Sequence, residues 1–303
     1  VTHEFSHGVS GRLTGGPSQS GCLGNAENMG EGWSDYFALM MKWHCFLLLL
    51  SISAVNAQSQ MDSYYQKKEF LRNGDTLRYR IMYPVNYDDH KKYPVVLFLH
   101  GKGERGRDNN KQLMHGATLF SDSAVRSKFQ SIVIFPQCTP DDYWCRMNMI
   151  EDRTDSTPER VEYLTDVPPG KSLHLVMQLL DSLSESKQVD HRRMYVMGLS
   201  MGGRGTYELL WRKPHFFAAA VPVCGGGNPS SAALYGKKFP IWIFHGDNDN
   251  VVNVNDSRNM VTALKAAGAK VKYTEYRGAG HNVWDYALAD PNLLPWLFAQ
   301  KRK

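Results

Sequence analysis

Met194-Tyr-Val-Met-Gly-Leu-Ser-Met-Gly-Gly203 is the stretch that decides the fold. It reads as a short apolar strand entering Gly198-Leu-Ser-Met-Gly202, a G-x-S-x-G turn. A helix follows from about Gly203 to Trp211 and is stopped by Pro214. A serine hydroxyl is a weak nucleophile and must stand clear of its surroundings beside a base. A strained strand-to-helix turn achieves that, and its glycines let neighbouring backbone come close. The same turn aims backbone N–H groups at an oxygen that becomes negative during acyl transfer.

Outward from this turn the chain alternates between strands and helices. Leu77 to Tyr83 alternates as an outer antiparallel strand should. Val95 to His100 and Ile132 to Phe135 are continuous apolar runs, as in strands covered on both faces. Leu173, Val176, Met177 and Leu180 share one helical face after Pro169-Gly170. Strands at Ala218–Val223, Ile241–His245 and Val271–Tyr276 follow, with a helix over Ser257–Ala267 before Gly268. Strands separated by helices predict an α/β domain with a mostly parallel sheet and helices on both faces. Residues 139 to 169 have weak periodicity and read as a surface excursion.

Composition agrees with a globular domain. The 303 residues are 42% hydrophobic and 21% charged, enough for a sizeable core. The net charge of +5 is small and its cations are scattered in sequence, which argues against a nucleic-acid partner. The five cysteines form no C-x-x-C framework, so a zinc ribbon is excluded.

A serine on such an elbow is followed in chain order by an acid and then a histidine. After Ser200 stand only His215, His245 and His281. His215 follows Pro214 at a helix end, and His245 precedes the acidic cluster. His281, in a glycine-rich loop after the last strand, is the candidate base. The acid comes from His245-Gly-Asp-Asn-Asp-Asn-Val-Val252, where Asp247 and Asp249 compete and Asp249 is preferred. Oxyanion donors are expected at the backbone N–H groups of Lys102 and Met201. His100, at a strand end before glycine, reads as a residue that shapes that loop.

Leu99-His-Gly-Lys-Gly-Glu-Arg-Gly-Arg-Asp-Asn109, Pro136-Gln-Cys138, Gly198 to Gly203, His245 to Val252 and Gly280-His-Asn-Val-Trp-Asp285 together resemble secreted bacterial carboxylesterases of the α/β-hydrolase fold. Those are the esterases grouped with dienelactone hydrolases, polyhydroxybutyrate depolymerase-like esterases and feruloyl or acetyl-xylan esterases. The resemblance spans about residues 62 to 301. It implies an α/β-hydrolase fold without a large lid domain, a Ser200–Asp249–His281 triad, and a pocket lined by Trp144. It also implies short acyl or plant-polymer-linked esters as substrates, small or polysaccharide-borne, and no cofactor. Asn253 departs from the proline often found after the paired valines. Cys138 and Cys145 are close enough in sequence for either a disulfide or two thiols.

The first forty residues differ from the rest. Val1-Thr-His-Glu-Phe-Ser-His7 carries H-E-x-x-H, which on a helix places His3 and His7 one turn apart with Glu4 beside them. Glu31-Gly-Trp-Ser-Asp35 supplies a third ligand candidate, the carboxylate of Glu31, with Asp35 as a carboxylate partner for a ligand histidine. The segment resembles the zinc core of fungalysin-type metallopeptidases, which implies His3, His7 and Glu31 as zinc ligands and Glu4 as base. It lacks the rest of a peptidase cleft, so a foreign fragment without catalysis is expected. Residues 41 to 57 read as a signal peptide: Met41-Lys-Trp-His, an apolar run, then Val55-Asn-Ala57 before Gln58. The expected organisation is therefore a fragment at 1–40, a signal peptide at 41–57 and a catalytic domain at 58–303. The product would be exported, secreted or periplasmic, with no stable membrane anchor. Two rival activities remain: a prolyl oligopeptidase-like serine peptidase, and a zinc endopeptidase at the N-terminus.

Overall fold

The computed structural model describes residues 35–46, 63–150 and 160–302. The chain divides into two units, Val1–Ser63 and Tyr64–Lys303. In the first, residues 35–46 form a helix that runs through the boundary expected between 40 and 41. His3, Glu4, His7 and Glu31, and most of the expected signal peptide, lie outside the described residues.

Among the described residues the second unit contains ten strands: β1 Gln66–Arg72, β2 Asp75–Met82, β3 Tyr93–Leu99, β4 Ile132–Pro136, β5 Met147–Ile150, β6 Arg160–Tyr163, β7 Val189–Leu199, β8 Ala219–Val223, β9 Pro240–Gly246 and β10 Lys270–Tyr276. Eight of them form one sheet in the order β1-β2-β4-β3-β7-β8-β9-β10. The β1–β2 and β2–β4 pairs are antiparallel. From β4 to β10 every neighbour is parallel. β3, β4 and β8 are buried along their whole length, which is why their sequences are unbroken apolar runs rather than alternations. The β1–β2 hairpin turns on Asn73-Gly74, both at positive φ (52° and 82°), the backbone that a two-residue hairpin requires.

Side-chain alternation gives the sheet two covered faces. Val95, Leu97, Leu99, Ile241 and Ile243 face a core shared with helices α2 (Lys171–Ser184) and α3 (Met201–Arg212). Phe98, Phe135, Tyr195 and Trp242 point the other way. There they meet Phe120 of α1 (Ala117–Ser121) and Phe298 and Trp296 of α5 (Leu293–Ala299). Helix α4 (Val254–Ala266) links β9 to β10, is capped by the Asn253 side chain, and is followed by Gly268 at φ +80°. This is the α/β-hydrolase arrangement.

Several elements differ from the sequence reading, β7, β1 and the 139–169 segment most of all. β7 begins five residues earlier than its apolar run, through Val189-Asp-His-Arg-Arg193. β1 was not anticipated, because six of its seven residues are exposed and mostly polar. Part of the 139–169 excursion is ordered as the β5–β6 hairpin. Cys138 and Cys145 are buried thiols, not a disulfide. Burial, the dominant cause, pushes each up to about 12.

Candidate active site

The carboxyl ends of β3, β7, β9 and β10 converge on one cleft. Ser200 sits between β7 and α3 at φ 52° and ψ −115°, a conformation that L residues rarely hold. The flanking glycines are needed for space. A Cβ on Gly198 would stand 2.2 Å from the Gly202 carbonyl oxygen, and one on Gly202 would stand 2.0 Å from that of Leu99. The turn is therefore held against the end of β3 by backbone contact. Helix α3 starts directly after Ser200, two residues earlier than the sequence suggests.

The Ser200 Oγ lies 2.9 Å from His281 Nε2, and His281 Nδ1 lies 2.7 Å from Asp249 Oδ2. Asp249 Oδ1 accepts the N–H groups of Val251 (2.8 Å) and Val252 (2.9 Å), an Asx-type turn just past β9. Asp249 is buried, at 6% exposure. Burial by itself would raise its carboxyl. Hydrogen bonds from His245, His281 and the Val252 amide outweigh that and hold it well below the usual carboxylate range. Asp247, by contrast, is exposed and ties the two loops together by accepting the Gly278 N–H at 2.6 Å. The geometry thus brings Asp249, not Asp247, to His281.

Met201 N–H heads α3 and Lys102 N–H opens a 3-10 turn over Lys102–Glu104. Neither donates to another group among the described residues, as expected of first-turn amides. His100 fixes the peptide that carries the second of these. Its Nδ1 lies 2.6 Å from the Gly101 oxygen, and its Nε2 accepts the Cys138 N–H at 3.0 Å. In a trans peptide the carbonyl and the N–H point opposite ways, so anchoring the Gly101 oxygen also aims the Lys102 N–H. Burial, the largest effect, lowers His100 to about 4, so the ring is neutral and its tautomer is set by these partners.

The cleft beside Ser200 holds about 240 Å³ and includes Glu104, Tyr143, Arg204 and Trp284 in its walls. Trp144 does not line it. That residue is fully buried, its indole N–H donates to the His100 oxygen at 3.1 Å, and its Cβ packs where Gly205 leaves room. Its neighbour Tyr143 lines the cleft instead. Chain order makes His245 no candidate base, yet its Nε2 lies 3.2 Å from Asp249 Oδ2. Chain order carries no signal for a second partner of the acid.

Among the described residues, potential metal-ligand groups are Cys224–Asp249–His281 and the surface trio Asp88–Asp89–His90. The first is built for hydrogen bonding. The Asp249 carboxylate is filled by N–H donors, and burial holds the Cys224 thiol well above its ordinary value.

Comparison with known proteins divides the chain in two. Residues 133–285 match the dienelactone hydrolase family, and residues 1–94 match the fungalysin metallopeptidase (M36) family. A solved thermostable esterase is similar at 33% identity and a TM-score of 0.70, over 80% of this chain and 64% of that one. A bifunctional acetylxylan esterase/xylanase of Neocallimastix patriciarum is 34% identical over 88 residues, which is 29% of this chain and 13% of that protein. The extracellular metalloproteinase MEP of Pyricularia oryzae is 68% identical over 40 residues, 12% of this chain and only 6% of the metalloproteinase. The chain therefore spans a small part of these two curated relatives.

Proposed function

Because the chain belongs to the dienelactone hydrolase family, we propose that it is a serine carboxylic-ester hydrolase working through an acyl-enzyme. The observation that carries this reading is the unbroken hydrogen-bond chain from Ser200 Oγ through His281 to Asp249. In the proposed reaction His281 Nε2 takes the Ser200 proton as Oγ attacks the ester carbonyl. The N–H groups of Lys102 and Met201 hold the resulting oxyanion. His281 then gives that proton to the departing alcohol, leaving the acyl group on Ser200. Water, deprotonated by His281, repeats the attack and releases the carboxylic acid. Asp249 keeps the imidazole oriented and stabilises its positive charge. Serine and histidine supply nucleophile and base, so the reading requires no cofactor.

A cleft of about 240 Å³ beside the serine suits a compact acyl group with the alcohol side open. With the similarity to an acetylxylan esterase, this favours short acyl or feruloyl esters, free or carried on plant polysaccharide. Export from the cell belongs to the same proposal, and no described helix is long and apolar enough to cross a membrane. The N-terminal segment is read as a passenger without catalytic part, zinc-binding or not.

The test is Ser200→Ala in the full chain, assayed on p-nitrophenyl acetate and on acetylated and feruloylated xylan. Loss of kcat by about 10³-fold or more is expected. Hydrolysis at the unmodified rate would refute the assignment.

A further inference from the structure

We infer that His245 is a positioning residue for the triad acid, so that Asp249 is held between two imidazoles rather than one. The inference rests on the triad reading above and on a group of contacts at the end of β9. Asp249 Oδ2 lies 2.7 Å from His281 Nδ1 and 3.2 Å from His245 Nε2. With Oδ1 taken by the amides of Val251 and Val252, the carboxylate is surrounded by donors on every side. His281 must move protons, so it cannot also be the rigid support of its acid. His245 is fully buried and can be.

The neighbours of His245 decide where its proton sits. Nε2 faces two oxygens and no donor, Asp249 Oδ2 and the Val252 carbonyl at 3.1 Å. Nε2 therefore carries hydrogen. Nδ1 lies 2.7 Å from Ser257 Oγ, which also lies 2.9 Å from the Gly225 carbonyl. The hydroxyl owns a single proton and either gives it to Nδ1 or turns it to Gly225. Nε2 keeps its hydrogen, which the Val252 carbonyl accepts with Asp249 Oδ2 alongside at 3.2 Å. Ser257, in the first turn of α4, holds the Nδ1 edge of the ring, and the capped helix holds Ser257 in place. The other ionisable groups around this imidazole are Asp256 on α4, Glu275 beside it on β10, and Cys224 after β8 near Asp249.

The role is to fix the Asp249 carboxylate and to take up part of its charge. Removing the His245 donor leaves more of that charge for the His281 imidazolium, so the base would be protonated at higher pH. His245→Leu and His245→Gln in the full chain test this, with Ser257→Ala and Ser200→Ala alongside. Melting curves show which variants fold. His245→Leu should lose about 10- to 100-fold in kcat, the size of one charge-assisted hydrogen bond, with KM little changed. Its kcat/KM profile should move its acid limb to higher pH. His245→Gln, whose amide N–H reaches toward the same oxygen, should restore most of the rate and the profile. Ser257→Ala should fall between. A folded His245→Leu variant with unaltered kcat and acid limb overturns the inference, and so does a loss that glutamine fails to rescue in a folded protein. Activity retained in Ser200→Ala would instead overturn the triad reading, which separates the two failures.

Discussion

His100 offers the sharpest quantitative prediction, because its ring is buried, neutral and hydrogen-bonded on both sides. We predict that it makes the native state lose stability on mild acidification. Its value falls from 6.5 to about 4 on burial. Below pH 6.5 the unfolded chain takes up a proton at this position and the native chain does not, so stability drops as pH falls toward 4. Between about pH 7.5 and pH 4.5 this single group removes about 2.5 kcal/mol, at about 1.4 kcal/mol per unit. For a domain of this size that is of order 5–10 °C in Tm. The contrast is His100→Asn, which keeps a donor for the Gly101 oxygen but cannot titrate. It loses the acceptor for the Cys138 N–H, at a cost of about 1–3 kcal/mol near neutrality. Urea melts across this pH range should therefore show the unmodified protein more stable at pH 7.5 and the two nearly equal at pH 4.5. Comparing the two proteins cancels the remaining histidines. A stability gap that stays constant with pH would refute the reasoning.

Three further outcomes follow from the site and its surroundings. Asp249→Asn should lower kcat for ester hydrolysis by about 10³–10⁴-fold, whereas Asp247→Asn, which weakens only the tie to Gly278, should stay within about tenfold; steady-state kinetics separate them. Trp144→Phe strands the His100 carbonyl and should cost about 1–3 kcal/mol in urea melts while leaving KM for short esters unchanged, since the indole does not reach the cleft. Cys138 and Cys145, buried and pushed up to about 12, should resist a thiol reagent at pH 8 in the native protein and react once it is unfolded.

What could be read in the sequence was governed by burial. β3, β4 and β8 declare themselves because strands covered on both faces must be apolar throughout. β1 is an exposed edge, and the first half of β7 carries Asp190, His191, Arg192 and Arg193, so neither has a hydrophobic signature. The glycine-serine turn and the final histidine were legible from chain order alone. Asp247 and Asp249 were not separable by spacing. They differ only in which way the loop after β9 turns, and the Val251 and Val252 amides set that. Trp144 was placed one residue from the true cleft wall, since a loop gives no alternation rule to say which neighbour faces inward. His245 escaped because sequence order tests for a base and not for a support.

The cleft gathers Lys102, Ser200, Asp249 and His281 from four different strand ends. That arrangement has a consequence in time. The last of them follows the serine by 81 residues and reaches it only when β10 has paired with β9. On the proposed reading, a chain still being made carries its nucleophile and oxyanion amides before its base, and cannot hydrolyse an ester until β10 has emerged and paired with β9. The order of synthesis would then act as a safety catch: hydrolysis would begin only in a molecule that has closed its sheet.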